Sequence, residues 1–133
     1  MAEPIGCLLD TSVFVAREQR RPADLTRIPQ GPAVSVVTLA ELRLAVLTAK
    51  QPDLVAKRLA TLEAATAVEP IRIDAAVASH WATLRANAAS FSQSRVNDLW
   101  IAATALALGV PIVSQDQGFA RLESIGGPKA III

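Results

Sequence analysis

The sequence predicts an α/β fold, with a mainly parallel central sheet covered by helices on both faces. Three observations carry this reading. Short apolar or β-branched runs recur along the chain: "IGCLL", "AVSVV", "VPIVS" and "KAIII". Between them stand stretches with apolar residues at helical spacing, so strands alternate with helices from end to end, which is the pattern of strand–helix–strand units. Hydrophobic residues make up 52% of the chain and charged ones 19%, which excludes a disordered chain. With 133 residues there is enough apolar material for one proper core. A single domain spanning residues 1–133 is therefore expected, with no linker, repeat or low-complexity segment to divide it.

Each element follows from local chemistry. "IGCLL" opens as the first strand. Residues 11 to about 20 follow as a short helix ending in "EQRR", basic at the end where the helix dipole favours cations. Pro22, Pro29, Gly31 and Pro32 make the next stretch a loop. "AVSVV" is a second strand by its β-branched content. "TLAELRLAVLTAK" is helical, with Leu39, Leu42, Ala45 and Val46 at helical spacing. "PDLVAKRLATLEAAT" is another helix, with Pro52 early and Leu54, Val55, Leu59 and Leu62 on one face. "AVEPIRID" reads as an edge strand, because Pro70 cannot donate to an interior ladder. Asp74 is the expected N-cap of "AAVASHWATLRANAA", and "SFSQSRV" is a polar loop. "NDLWIAATALALG" is a helix closed by Gly109, "VPIVS" the next strand, "DQGFARLES" a helical turn and "KAIII" the last strand.

Composition removes several function classes. Cys7 is the only cysteine, so an internal disulfide and a cysteine metal site are excluded. In a strand it reads as a small buried hydrophobe. His80 is the only histidine, which excludes a multi-histidine metal site. The net charge of +1 does not announce a nucleic-acid binder, although arginines outnumber lysines. "MAEPIGCLLD" carries Glu3 and Pro4 where a signal peptide would be basic, and "LWIAATALALGVPIV" is too short to span a bilayer. A soluble, cytoplasmic protein with no membrane partner is expected.

Four acids stand out by position. Ligand sites in open α/β sheets lie outside the carboxyl ends of the strands. Asp10 directly follows the first strand, Glu41 falls in the first turn of the helix after "AVSVV", and Asp116 lies two residues past "VPIVS". Asp98 opens the helix leading into that strand, and joins the others if its helix starts at the same rim. Each acid also has a purely structural reading. "TLAE" matches a capping box, in which Glu41 would serve the N–H of Thr38. Asp98 suits a helix N-terminus, and Asp116 suits a turn or N-cap. Taken together, four acids on one rim would repel one another and raise one another's pKa. A hard divalent cation such as Mg²⁺ or Mn²⁺ resolves that conflict with oxygen ligands alone. Such an ion activates water and stabilises charge on phosphate, so phosphodiester hydrolysis needs no protein nucleophile. Arg17, Arg20, Arg21, Arg43 and Arg95 are candidates for drawing a phosphate substrate to the acids, although each can equally be a solvated surface residue.

The stretches "LLDTSVFV", "TLAELRLAV" and "NDLWIAATALALGVPIVSQD" resemble the motifs of PIN-domain ribonucleases, specifically VapC-type toxins of bacterial toxin–antitoxin pairs. The resemblance covers essentially the whole chain. It implies a PIN-like three-layer fold and an acidic metal pocket of Asp10, Glu41, Asp98 and Asp116, with Asp10 and Asp98 as the leading direct ligands. Ser12, Thr104 and Ser114 would be hydroxyls near the site. The family often continues with a second acid two residues after the first of its last motif. Here "SQDQGF" places Gly118 there, which bears on a second metal. Asn97 beside Asp98 also departs from the usual small or apolar neighbour. The resemblance further implies an endoribonuclease, a homodimer and a cognate antitoxin whose segment crosses the site. With no Tyr and three Phe, recognition of RNA would rest on phosphate contacts and shape rather than stacked aromatic platforms.

Rival readings are weaker on the residues. A haloacid-dehalogenase-type phosphatase needs a second Asp where Ser12 stands, and a response-regulator receiver needs a Lys after a late strand, whereas Lys129 precedes "AIII". The alternative that remains is a PIN-fold protein, catalytically weak or inactive, that binds RNA or a partner.

Overall fold

Strand β1 (Cys7–Leu9) occupies the centre of a five-stranded sheet in a computed structural model that describes residues 4–88 and 96–133. The other strands are β2 (Pro32–Ser35), β3 (Glu69–Ile71), β4 (Ile112–Ser114) and β5 (Ala130–Ile132). Their spatial order is β3-β2-β1-β4-β5, and every pairing is parallel. The helices are α1 (Thr11–Glu18), α2 (Val36–Thr48), α3 (Pro52–Thr66), α4 (Ala75–Asn87), α5 (Val96–Leu108) and α6 (Gly118–Glu123). The sheet grows one way through β2 and β3, then restarts on the other side of β1 with β4. That reversal opens a crevice at the carboxyl ends of β1 and β4.

The pleat divides the core in two. Cys7 and Leu9 face the layer of α1, α2 and α3, together with Val34 and Val113 and with Phe14, Leu42 and Leu62 of those helices. Leu8, Ala33 and Ile112 point the other way, towards Val77 and Leu84 of α4 and Leu99 and Ile101 of α5. Both faces of the central strands are thus buried, as parallel sheets require. Trp81 and Trp100 stack between α4 and α5, with ring centroids 4.7 Å apart and planes 12° from parallel. β3 lies at the sheet edge with Pro70 in register with Val34, as the proline requires.

Two expectations are corrected. "AVSVV" is not a strand to its end, because β2 stops at Ser35, whose hydroxyl accepts from the Val37 N–H at 3.0 Å and caps α2. The cap outweighs the β-propensity of Val36 and Val37. As a result Thr38 lies inside the helix and Glu41 falls in its second turn, so no capping box joins them. Leu59 is 42% exposed, because the buried stripe of α3 runs through Leu62 and Ala65 and leaves it aside. The polar loop read in "SFSQSRV" lies outside the described residues except Val96, which begins α5. α5 ends as expected: Gly109 has φ +69, and Val110 N–H reaches back to Ala105 C=O at 3.1 Å. α1 ends in the same way with Arg20, at φ 54, in the position that glycine usually fills.

Candidate active site

Asp10 terminates β1 and caps α1, so two elements fix its position. It is 4% exposed. Its Oδ2 accepts from the Ser114 hydroxyl at 2.9 Å and from the Ser12 N–H at 3.3 Å. Both donors are neutral. Burial pushes the carboxyl above its ordinary pKa, and the hydrogen bonds offset that only in part. The strand-end acid is therefore held in place without any cationic partner among the described residues.

The network extends across the crevice. Ser114, buried at the end of β4, lies 3.1 Å from Ser12 hydroxyl to hydroxyl, and its oxygen accepts from the Asp116 N–H at 2.8 Å. Gln115 N–H donates to Ser12 Oγ at 2.9 Å. Asp10, Ser12, Ser114 and Asp116 are thus tied into one cluster. Asp116 Oδ1 accepts from the Gly118 N–H at 2.8 Å, so this acid also shapes the turn into α6.

Glu41 attaches by a second chain of hydroxyls. Thr11 donates to Glu41 Oε1 at 2.7 Å and lies 3.0 Å from the Thr38 hydroxyl. Asp98 is the third residue of α5. Because only residues 109–111 separate α5 from β4, the helix runs against the strands and its first turn lies at the carboxyl end of the sheet. Thr104 does not reach the cluster: its buried hydroxyl donates to the Trp100 carbonyl at 2.8 Å within α5. Such back-bonding is the usual fate of a mid-helix threonine. Arg17, Arg20, Arg21 and Arg43 are exposed, and Arg95 lies outside the described residues.

Sequence reading gives no site role to Thr11 or Gln115, and pairs Thr38 with Glu41 only through a capping box. Thr11 sits inside the quoted "LLDTSVFV", and Thr38 lies three residues before Glu41, one helical turn away; that spacing was the available signal. Nothing in the pattern marks Gln115.

The oxygen donors suit a hard cation in kind. Among the described residues, however, no three acidic, histidine or cysteine side chains stand as a ready-made metal cage. No helix among them is long and apolar enough to cross a membrane.

A parallel sheet with acids and hydroxyls gathered at its switch point defines a class, and residues 7–125 match the PIN domain model. The chain belongs to the PIN-domain family. Within it, the chain is 45% identical over 129 residues to Ribonuclease VapC5 of Mycobacterium tuberculosis, covering 96% of each protein. Ribonuclease VapC4 of the same organism is 44% identical over 121 residues, covering 89% of this chain and 92% of the relative. The fold superposes on a crystal structure from VapBC-5, a member of the VapBC family of toxin–antitoxin systems of Mycobacterium tuberculosis, with a TM-score of 0.81, 44% identity and 98% coverage of both chains. DNA-bound VapBC from Salmonella typhimurium, at 20% identity and a TM-score of 0.77, shares the fold.

Proposed function

We propose that this protein is a Mg²⁺- or Mn²⁺-dependent endoribonuclease acting in the cytoplasm as the toxin of a toxin–antitoxin pair, with a cognate antitoxin and a second copy of itself as partners. The observation that carries the reading is Asp10, a buried carboxylate at the crevice whose hydrogen-bond donors among the described residues, the Ser12 N–H and the Ser114 hydroxyl among them, are neutral. An acid kept there without a cation is a standing cost to the fold, which a bound divalent ion would relieve. Relatives named as VapC ribonucleases support the substrate class, and the VapBC-5 match supports an antitoxin.

Asp10 and Asp98 would be the direct ligands, with Glu41 and Asp116 beside them. Because Mg²⁺ commonly takes one or two carboxylates and completes its shell with water and phosphate oxygens, such an ion needs no closed cage of protein ligands. The bound ion would supply an activated water and charge stabilisation on the phosphate. Ser114 would hold the Asp10 carboxylate in position, and the exposed Arg17, Arg20 and Arg43 would attract the RNA backbone.

The test is RNA cleavage by purified protein with and without Mg²⁺ or Mn²⁺, beside Asp98→Ala prepared identically. Metal-dependent cutting by the native chain alone is the expected result. Equal cutting by both proteins refutes the assignment. No cutting by either, with the fold intact, transfers the reading to a PIN-fold protein that binds without hydrolysis.

A further inference from the structure

We infer that Gln115 is a positioning residue that registers Arg20 and Arg21 against the acid cluster; the inference rests on the nuclease reading above. Gln115 stands between Ser114 and Asp116, and its backbone N–H is committed to Ser12 Oγ at 2.9 Å. Its side chain turns outward instead. Nε2 donates to the Pro22 carbonyl at 2.8 Å, spanning 93 residues of chain. One residue therefore joins the catalytic rim to the segment that leaves α1.

That segment carries the two arginines immediately before Pro22. Arg58 and Arg85 spend a guanidinium N–H on a carbonyl, as does Arg27 on Ile132. The guanidiniums of Arg20 and Arg21 have no hydrogen bond or ion pair among the described residues, and both side chains are exposed. Their backbone is nevertheless fixed. Arg20 occupies the left-handed region at φ 54, and Arg21 N–H closes the helix end on Ala16 C=O at 2.8 Å. An arginine in a position that favours glycine, followed by a tether to the acid rim, fixes the backbone from which two unspent cations project. A polyanion repelled by four carboxylates needs such cations, and guanidinium is the group that matches phosphate. Gln115 would act through them and not on the reacting atoms.

Gln115→Glu keeps the side-chain shape and removes the donor, and Gln115→Ala removes the side chain. Two readouts separate the tether from the chemistry. Trypsin cuts the Arg20–Arg21 bond but not the bond before Pro22, so nicking at that bond without RNA reports release of the segment. Both variants are expected to nick faster, with KM for RNA about 2- to 10-fold higher, the worth of one hydrogen bond, and kcat essentially unchanged. Unchanged nicking overturns the tether. Faster nicking with kcat falling and KM unmoved assigns Gln115 to the acid rim and overturns its role through the arginines. If the native protein cuts no RNA, the same shift is read in RNA Kd. If it does not bind RNA either, the nuclease reading falls together with the arginine role, while the nicking rates still decide the tether.

Discussion

Asp10→Asn in metal-free protein is expected to unfold at a higher temperature than the wild type. Asparagine keeps the shape and an acceptor oxygen but removes a charge from a site 4% exposed. An uncompensated buried charge costs several kcal/mol, roughly, after relaxation. Against this, hydrogen bonds to a charged acceptor exceed neutral ones by about 1 kcal/mol each. Asp10 accepts one of ordinary length, 2.9 Å from Ser114, and one long one, 3.3 Å from Ser12. The net gain is about 1–2 kcal/mol, or a Tm rise of about 3–8 °C for a chain of this size at about pH 7. Thermal unfolding by circular dichroism in EDTA measures it. The pH dependence gives the sign a second check. The folded Asp10 carboxyl titrates above its unfolded value, so as pH falls the native state binds the proton first. The wild-type penalty is complete above the folded pKa and gone below the unfolded value of about 3.9. The gap between variant and wild type must therefore close on acidification through the raised pKa. Mn²⁺ should raise the Tm of the wild type and leave Asp10→Asn unmoved. A variant less stable than wild type at neutral pH, or a gap that does not change with pH, refutes the reasoning.

Ser114→Ala removes the hydroxyl joining Asp10 Oδ2 to the Asp116 N–H. It should cost about 1–3 kcal/mol in urea unfolding and about 10- to 100-fold in RNA cleavage. Gly6→Ala would set a Cβ 2.0 Å from the Gln30 carbonyl oxygen. Since that neighbour is backbone, a loss of more than about 2 kcal/mol is expected in the same assay, and a neutral substitution would contradict the close approach. Burial pushes the Cys7 thiol up to about 11. Alkylation by iodoacetamide should therefore proceed only after unfolding, and rapid labelling of the native protein would place Cys7 elsewhere.

The alternation of strands and helices was legible because each face of the sheet is buried and each helix presents one stripe. α3 begins at Pro52, since proline at the first helical turn is an unambiguous start. The start of α2 was misread because Val36 and Val37 favour strands in isolation, while the deciding interaction is a side chain: Ser35 Oγ on the Val37 N–H. Position along the chain placed Asp10, Ser114 and Asp116 on one rim, because parallel topology puts every strand's end on the same side. Topology does not say which hydroxyl turns towards which acid. Thr11 and Thr104 have the same chemistry, yet one bonds Glu41 and the other its own helix. Rotamer and burial settle that choice, and neither has a sequence period.

The pairing of β1 with β4 also governs when the site can exist. Asp10 and the hydroxyl that holds it are separated by 104 positions, and β4 docks beside β1 only after four helices have been laid down between α1 and its own start. Contacts of such long sequence separation close slowly. A chain growing from its N-terminus therefore displays Asp10 and Glu41 early but lacks Ser114 and Asp116 until β4 is made and folded in. Until β4 docks, the incomplete chain therefore lacks the hydroxyl that holds Asp10, and one edge of β1 stands open.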